Sequence, residues 1–196
     1  MTKDINYHSK SVFPVADKRP EAMHSIFPIR LAPGPFAAAL WRAEFSPRGL
    51  RSLSVAPKSA GIENGNGREM APSDPRLKRI KKLIARRMAG QRGDLDFDEF
   101  DLTDAPKFHL DVWRAMHAIP FGEVLTYAEL AGEAGSPLAF RACGQACRNN
   151  RIVLFIPCHR VVSSTGIGGF AGGLHWKRAL LGLEGVDNFE AILCRT

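Results

Sequence analysis

The sequence predicts a mixed α/β chain, with a small strand-bearing N-terminal part and a mainly helical C-terminal part. Three observations carry this. Trp41, Ala43 and Phe45 alternate with Leu40, Arg42 and Glu44, the period of a half-buried strand. Leu77, Ile80, Ile84 and Met88 recur at the spacing of one helix face. Beyond residue 105 the apolar spacing stays helical, and the Gly and Pro residues fall between the periodic stretches. A length of 196 residues with 45% hydrophobic content fits one domain or two small ones.

Residues 1–28 mix charges, prolines and isolated apolar side chains without a period, and read as an N-terminal extension. From Ile29 to Val55 the pattern is β-like. Ser46-Pro47-Arg48-Gly49 is a turn, and Leu50, Leu53 and Val55 continue into a return strand. Residues 57–75, rich in Gly, Pro, Ser and Asn, read as a loop. The helix predicted over Arg76–Met88 carries basic residues at 76, 78, 79, 81, 82, 86 and 87, off its apolar face. Such a face is either solvated or turned to a polyanion, and solvent is the simpler reading. Asp94–Asp104 is acidic and reads as a linker that offsets the basic helix.

Ala105-Pro106 opens the next part. Phe108, Val112, Ala115 and Ile119 take helical spacing, Trp113 and Met116 widen the buried face, and Pro120 closes the helix. His109 and His117 have no evident partner. Thr126-Tyr127-Ala128-Glu129 is a capping box that starts a helix at Tyr127, and Gly135 ends it. Ser136 and Pro137 suit the cap and first position of a second helix. Helix, short glycine turn, helix is the helix-turn-helix plan, although any two adjacent helices imitate it. On the second helix Ala139, Cys143, Ala146 and Cys147 form a small apolar stripe, while Arg141, Gln145 and Arg148 form an outward polar one. Cys143 and Cys147 have the i, i+4 spacing of metal ligands but no matching ligand pair, and read as core.

Val153–Ile156 is a short apolar run stopped by Pro157, and Cys158, His159 and Arg160 follow at once. A thiol where a buried segment breaks open to a surface is where a nucleophile would sit. A lone cysteine also serves as a small core hydrophobe. The net charge of +7 points to a polyanionic partner. The four cysteines, 143, 147, 158 and 194, have no disulfide-scaffold spacing, and Cys194 reads as a bystander. The opening Met-Thr-Lys-Asp lacks the apolar stretch of a signal peptide, and no run approaches a membrane span. The expected setting is therefore intracellular and reducing: cytoplasm and nucleoid, or nucleus in a eukaryote.

Pro157-Cys158-His159-Arg160-Val161-Val162 is similar to the active-site signature of the O6-alkylguanine-DNA alkyltransferases, the methylated-DNA–protein-cysteine methyltransferases. The resemblance covers roughly residues 105–185. Ile119-Pro120-Phe121-Gly122-Glu123-Val124-Leu125-Thr126-Tyr127 resembles the run that the family writes IPxGxVxTY. The resemblance implies a ribonuclease H-like α/β domain with its acidic linker over residues 29–104, after the extension 1–28. A DNA-binding and alkyl-transfer domain with a helix-turn-helix then fills residues 105–196. It implies direct-reversal DNA repair by a monomer without a cofactor. O6-alkylguanine in double-stranded DNA, with O4-alkylthymine as a minor substrate, is flipped out, and its alkyl group passes irreversibly to Cys158. Arg141 stands at the place of the arginine finger on the DNA-facing helix, and Asn150 at that of the hinge asparagine. Tyr127 would help rotate the phosphate and donate to the purine.

The chemistry fits these residue types. A base inside a duplex cannot reach a thiol, so flipping it, at a few kcal/mol, is required. A cysteine of ordinary pKa, about 8.5, is only slightly ionised at neutral pH and needs a base. The resemblance supplies His159, acting through water and oriented by Glu184, in the logic of acyl-transfer triads. Sequence alone reads Glu184 as a surface residue near a helix end. The resemblance also lines the pocket with Phe170 and Ala171 from the loop Gly166–Gly173, and assigns the Cys158 and Val161 carbonyls to the guanine amine. Many relatives carry Tyr and Ser where this chain has Phe170 and Ala171, which puts the range of alkyl groups in question. Lys177 and Arg178 read as solvated charges. The zinc held by some relatives has no recognisable Cys/His set here, and no metal is expected. Three rivals stand beside this reading: a non-catalytic reader of alkylated DNA, a helix-turn-helix regulator, and a Cys-His hydrolase.

Overall fold

The computed structural model describes residues 23–28, 39–56 and 68–186. The expectations for residues 1–22, 29–38, 57–67 and Cys194 lie outside the described residues. The chain is mixed α/β, as the sequence predicts.

A four-stranded sheet has the order β3-β2-β1-β4, from β1 (Met23–Pro28), β2 (Leu40–Ser46), β3 (Gly49–Ala56) and β4 (Arg68–Glu69). β1 runs antiparallel to β2 and parallel to β4. It falls within the stretch that the sequence assigns to an extension. Met-His-Ser-Ile-Phe-Pro has no clean alternation, so its strand state comes from pairing, Ser25 on Ala43 and Phe27 on Trp41. On β2 the alternation holds, with Trp41, Ala43 and Phe45 all buried. Gly49 closes the β2–β3 hairpin at φ +153°, and a Cβ there would lie 2.1 Å from the Glu99 carbonyl oxygen. Only glycine fits that approach.

Helix α1 (Pro75–Met88) starts where the Asp74 side chain accepts the Arg76 N–H at 2.8 Å, with Pro75 in the first position. Leu77, Ile80, Ile84 and Met88 are buried as expected, and so is Arg87. The acidic stretch after α1 is a packed strap rather than a loose linker. Leu95, Phe100 and Leu102 are buried, and Asp101 N–H donates to the Leu50 carbonyl at 2.9 Å. Its carboxylates hold arginines from both sides. Asp104 accepts from Arg51 at 2.9 Å and from Arg151 at 3.1 Å, and Glu99 pairs with Arg79. The Arg151 hydrogen bond outweighs burial and draws the Asp104 carboxyl down to about 2.

The outer edge of β3 also receives the chain that leads to Cys158. Leu53 N–H donates to the Arg151 carbonyl at 2.8 Å, and Val153 N–H donates to the Leu53 carbonyl at 3.0 Å. The N-terminal sheet thereby anchors the segment just before the thiol.

The rest is helical: α2 (Lys107–Ala118), α3 (Tyr127–Glu133), α4 (Phe140–Arg148) and α5 (Leu174–Leu183). A short parallel pair, β5 (Leu125–Thr126) and β6 (Val161–Val162), ties the entry of α3 to the residues after Cys158. Val112, Trp113 and Met116 of α2 are buried, and Trp113 Nε1–H donates to the Ala146 carbonyl of α4 at 2.9 Å. His117 has a partner after all, the Leu95 carbonyl at 2.9 Å from Nε2.

The predicted capping box forms, with Glu129 N–H on Thr126 Oγ1 and Thr126 N–H on the Glu129 carboxylate. The predicted start of the next helix at Ser136-Pro137 is corrected to Phe140. Gly135, at φ +71°, donates its N–H to the Gly132 carbonyl, and Ser136 N–H reaches back to Ala131. Ser136 is thus engaged in closing α3 by a Schellman turn. Ala139 N–H then bonds the Ser136 carbonyl in a further turn before α4 begins.

Candidate active site

Cys158 opens a 3-10 turn, Cys158–Arg160, directly after Pro157, and the apolar run before it forms a turn. Leu154 holds φ +77° there, a left-handed value that is unusual for leucine. Asn150, 3% exposed, braces this loop from inside. Its Nδ2 donates to the Ile156 carbonyl at 2.7 Å and its Oδ1 accepts Ile152 N–H at 3.0 Å. A side chain that satisfies two backbone groups four residues apart, at Ile152 and Ile156, fixes where the thiol emerges.

Cys158 is half-buried in a cavity of about 380 Å³, lined also by Tyr127, Gly144, Cys147, Arg148, Gly169, Phe170 and Ala171. Burial raises the thiol, and Asn150 and the Lys177 ammonium only partly offset it, so the resting group is a protonated thiol. Burial likewise pushes the Tyr127 hydroxyl up to about 12, leaving it a proton donor at neutral pH. Gly168 makes room for that tyrosine. At φ +69°, a Cβ on it would stand 3.0 Å from Ser163 N and 3.3 Å from Tyr127 Cε2.

His159 is fully buried, and Nε2 lies 2.9 Å from Glu184 Oε1. Burial holds the imidazole below its ordinary value, against the pull of Glu184, so it is neutral at pH 7. Glu184 is ionised, because the hydrogen bonds from His159 and Arg160 outweigh burial and hold it near about 2. The contact is therefore an Nε2–H donor on a carboxylate. That tautomer leaves Nδ1 as an acceptor, and Nδ1 is buried without a protein partner among the described residues.

Glu184 caps the end of α5 and is 8% exposed, a hub and not the surface residue that sequence alone suggests. Besides His159 it accepts Arg160 Nε at 2.7 Å, Arg160 Nη2 at 3.0 Å and Arg87 Nη2 at 2.8 Å. Phe121 packs beneath these guanidinium groups, its ring 5.1 Å from that of Arg87 and 5.7 Å from that of Arg160.

Most of the residues singled out by sequence gather here: Tyr127, Arg148, Asn150, Cys158, His159, Phe170, Ala171 and Glu184. Arg141 and Gln145 are exposed on α4 with Arg148, and the Arg141 guanidinium lies 5.8 Å from the Phe140 ring. Val161 does not line the cavity; it is fully buried in β6 and its carbonyl accepts Lys177 Nζ at 2.6 Å. Lys177 is corrected from a solvated charge to a completely buried one, which also donates to the Gly169 carbonyl at 3.1 Å. Burial lowers its ammonium to about 8. Arg87 is corrected in the same way, from the solvated face of α1 to the Glu184 hub. Both had a signal. Lys177 shares a helix stripe with Leu180, Leu181 and Glu184, and Arg87 lies three residues after Ile84 on the buried stripe.

The family model described as 6-O-methylguanine DNA methyltransferase, DNA binding domain, matches residues 107–186. A methylated-DNA–protein-cysteine methyltransferase of Methanosarcina barkeri is 47% identical over 91 residues, 44% of this chain and 58% of that protein. One from Saccharolobus islandicus is 50% identical over 80 residues, 40% of this chain and 51% of that protein. The matched stretch thus spans somewhat over half the length of these curated relatives. The crystal structure of Mycobacterium tuberculosis OGT in complex with DNA aligns with a TM-score of 0.66 at 27% identity, over 83% of this chain and 92% of that one. The O6-methylguanine-DNA methyltransferase of Pyrococcus kodakaraensis, at 24% identity, shares the fold with a TM-score of 0.60 over 84% of this chain and 100% of that one. Residues 107–186, which hold Tyr127, Cys158, His159 and Glu184, are thus the stretch that is similar to the 6-O-methylguanine DNA methyltransferase DNA-binding domain.

Proposed function

We propose that this protein repairs DNA by direct reversal, moving the alkyl group of O6-alkylguanine to Cys158 in a single irreversible turnover. The observation that carries the reading is the cysteine in a cavity of about 380 Å³ with a neutral histidine, backed by a buried carboxylate, on the same turn. The thiol is held protonated, so attack needs a base, and His159 Nδ1 is the acceptor positioned next in the chain. The thiol proton passes to Nδ1 through a water molecule, and Glu184 stabilises the imidazolium that forms. A bond forms from Cys158 sulfur to the alkyl carbon as the carbon–O6 bond breaks, and that electron pair returns to the purine. The Tyr127 hydroxyl, kept protonated, donates to the purine ring as its charge develops. A thioether is a poor leaving group, so the cysteine is consumed.

Arg141, Gln145 and Arg148, exposed together on α4, contact double-stranded DNA, with α3 and α4 acting as a helix-turn-helix and Arg141 filling the gap left by the flipped base. The Cys158 carbonyl receives the guanine amine. The Val161 carbonyl does so alongside Lys177, since a carbonyl oxygen has two lone pairs. Phe170 and Ala171 set the width of the alkyl side of the pocket, and O4-alkylthymine is a minor substrate. The order β3-β2-β1-β4 with a parallel β1–β4 pair supports a ribonuclease H-like N-terminal domain ending at residue 104.

The test is intact mass after mixing the protein with duplex DNA carrying O6-methylguanine. The expected result is a gain of one methylene's mass, at most once per molecule, and none in Cys158→Ala. Tight binding with no mass change would replace this reading with that of a damage reader.

A further inference from the structure

Arg87 belongs to α1, far in sequence from the chemistry, yet its guanidinium ends at the carboxylate that holds His159. Its Nη2 donates to Glu184 Oε1 at 2.8 Å, the same oxygen that His159 Nε2 meets at 2.9 Å. Its Nη1 lies 3.5 Å from Asp94 Oδ1, and its side chain is 1% exposed. Burying an arginine is costly unless every partner is in place, so an otherwise solvated basic helix gains little in packing from turning this one inward.

We propose that Arg87 is a positioning residue for alkyl transfer: it fixes Glu184 against His159 Nε2, so that Nδ1 is left to accept the thiol proton. The inference rests on His159 being the base of the proposed reaction. The groups facing His159 among the described residues are Glu184 at the end of α5, Arg160 on its own turn and Arg87 from α1, with Asp94 behind Arg87. Arg160 already grips both carboxylate oxygens, through Nε on Oε2 and Nη2 on Oε1. Arg87 adds a further cation on Oε1 alone. A carboxylate oxygen shared by two guanidinium groups attracts a proton on the neighbouring imidazole less strongly than one shared with a single guanidinium. The hub then carries two cations against one buried anion, with the half-exposed Asp94 as partial counterweight. Both effects disfavour a resting imidazolium, which would be unable to accept a proton.

The experiment compares wild type with Arg87→Gln, Arg87→Met and Arg87→Lys. Single-turnover methyl transfer from O6-methylguanine duplex is followed from pH 5 to 9, with rates scaled to the active fraction and folding checked by circular dichroism. The neutral variants should move the acid limb of the rate profile up by about one pH unit, while Arg87→Lys should keep it near the wild-type position. NMR titration of the His159 ring protons in wild type and Arg87→Gln gives the same comparison without substrate. A folded Arg87→Gln whose acid limb and His159 titration coincide with wild type would overturn the proposal, even if its melting temperature fell. If Arg87→Met does not fold, Arg87→Gln decides. A wild type that never takes up methyl would sink the alkyl-transfer reading and leave the His159 titration to judge Arg87.

Discussion

Replacing Glu184 by Gln keeps the shape of the hub and removes its only buried negative charge. The carboxyl sits near about 2 in the folded protein against an ordinary 4.5, and the side chain is 3% exposed. At 1.36 kcal/mol per pH unit, that difference makes the ionised form worth about 3 kcal/mol to the fold. Breaking a buried ion pair by removing one partner costs about 3–5 kcal/mol, which agrees. For a chain of this size the loss corresponds to a melting temperature lower by about 6–12 °C.

The sign of the pH dependence follows from the depressed carboxyl. Its contribution is complete above about pH 4.5 and is lost as pH falls toward 2, because the unfolded chain then takes up the proton first. The gap between wild type and Glu184→Gln should therefore be flat from pH 6 to 7.5 and narrow by about 2 kcal/mol at pH 3. Urea unfolding followed by tryptophan fluorescence, at pH 7 and again at pH 3 to 4, reads both quantities. Equal urea midpoints at pH 7, or a gap that stays constant into acid, would refute the account of Glu184 as an ionised hub.

Lys177 gives the opposite profile. Its ammonium is lowered to about 8, so charged burial opposes folding below pH 8, and the stability of wild type relative to Lys177→Met should rise by up to about 3 kcal/mol between pH 8 and 10.5. Parallel stability curves for the two proteins would count against this. Gly168→Ala puts a methyl group at φ +69° against Ser163 and the Tyr127 ring; destabilisation of about 1–3 kcal/mol and slower methyl uptake are expected, and a wild-type rate would show that the loop yields freely. Arg151→Ala leaves Asp104 with Arg51 on the strap and strips a hydrogen bond from the Asp101 carbonyl. The expected cost is about 1–2 kcal/mol, read as a lower urea midpoint, and an unchanged midpoint would mean the strap does not tie the two halves.

The parts of the site that were legible in the sequence are those written in consecutive residues. Pro157 through Val162 and the capping box at Thr126 are local patterns, and both stand where the pattern puts them. The start of α4 was misread for a local reason as well. Ser136-Pro137 is a sound cap signal, and the Ser136 carbonyl does accept Ala139 N–H, but the turn it opens is separate from α4, which begins at Phe140. The hub was hidden because its members come from residues 87, 160 and 184, and only folding brings them within hydrogen-bond reach. Even so, Arg87 and Lys177 each interrupt an apolar helical stripe, where a solvated charge has no way out to water. A charge at such a position must find buried partners. Glu184 is that partner for Arg87, and the Val161 and Gly169 carbonyls are the partners of Lys177. Lys177 holds the carbonyls beside the cavity, and Arg87 carries the N-terminal helix into the hydrogen-bond set of the proposed base.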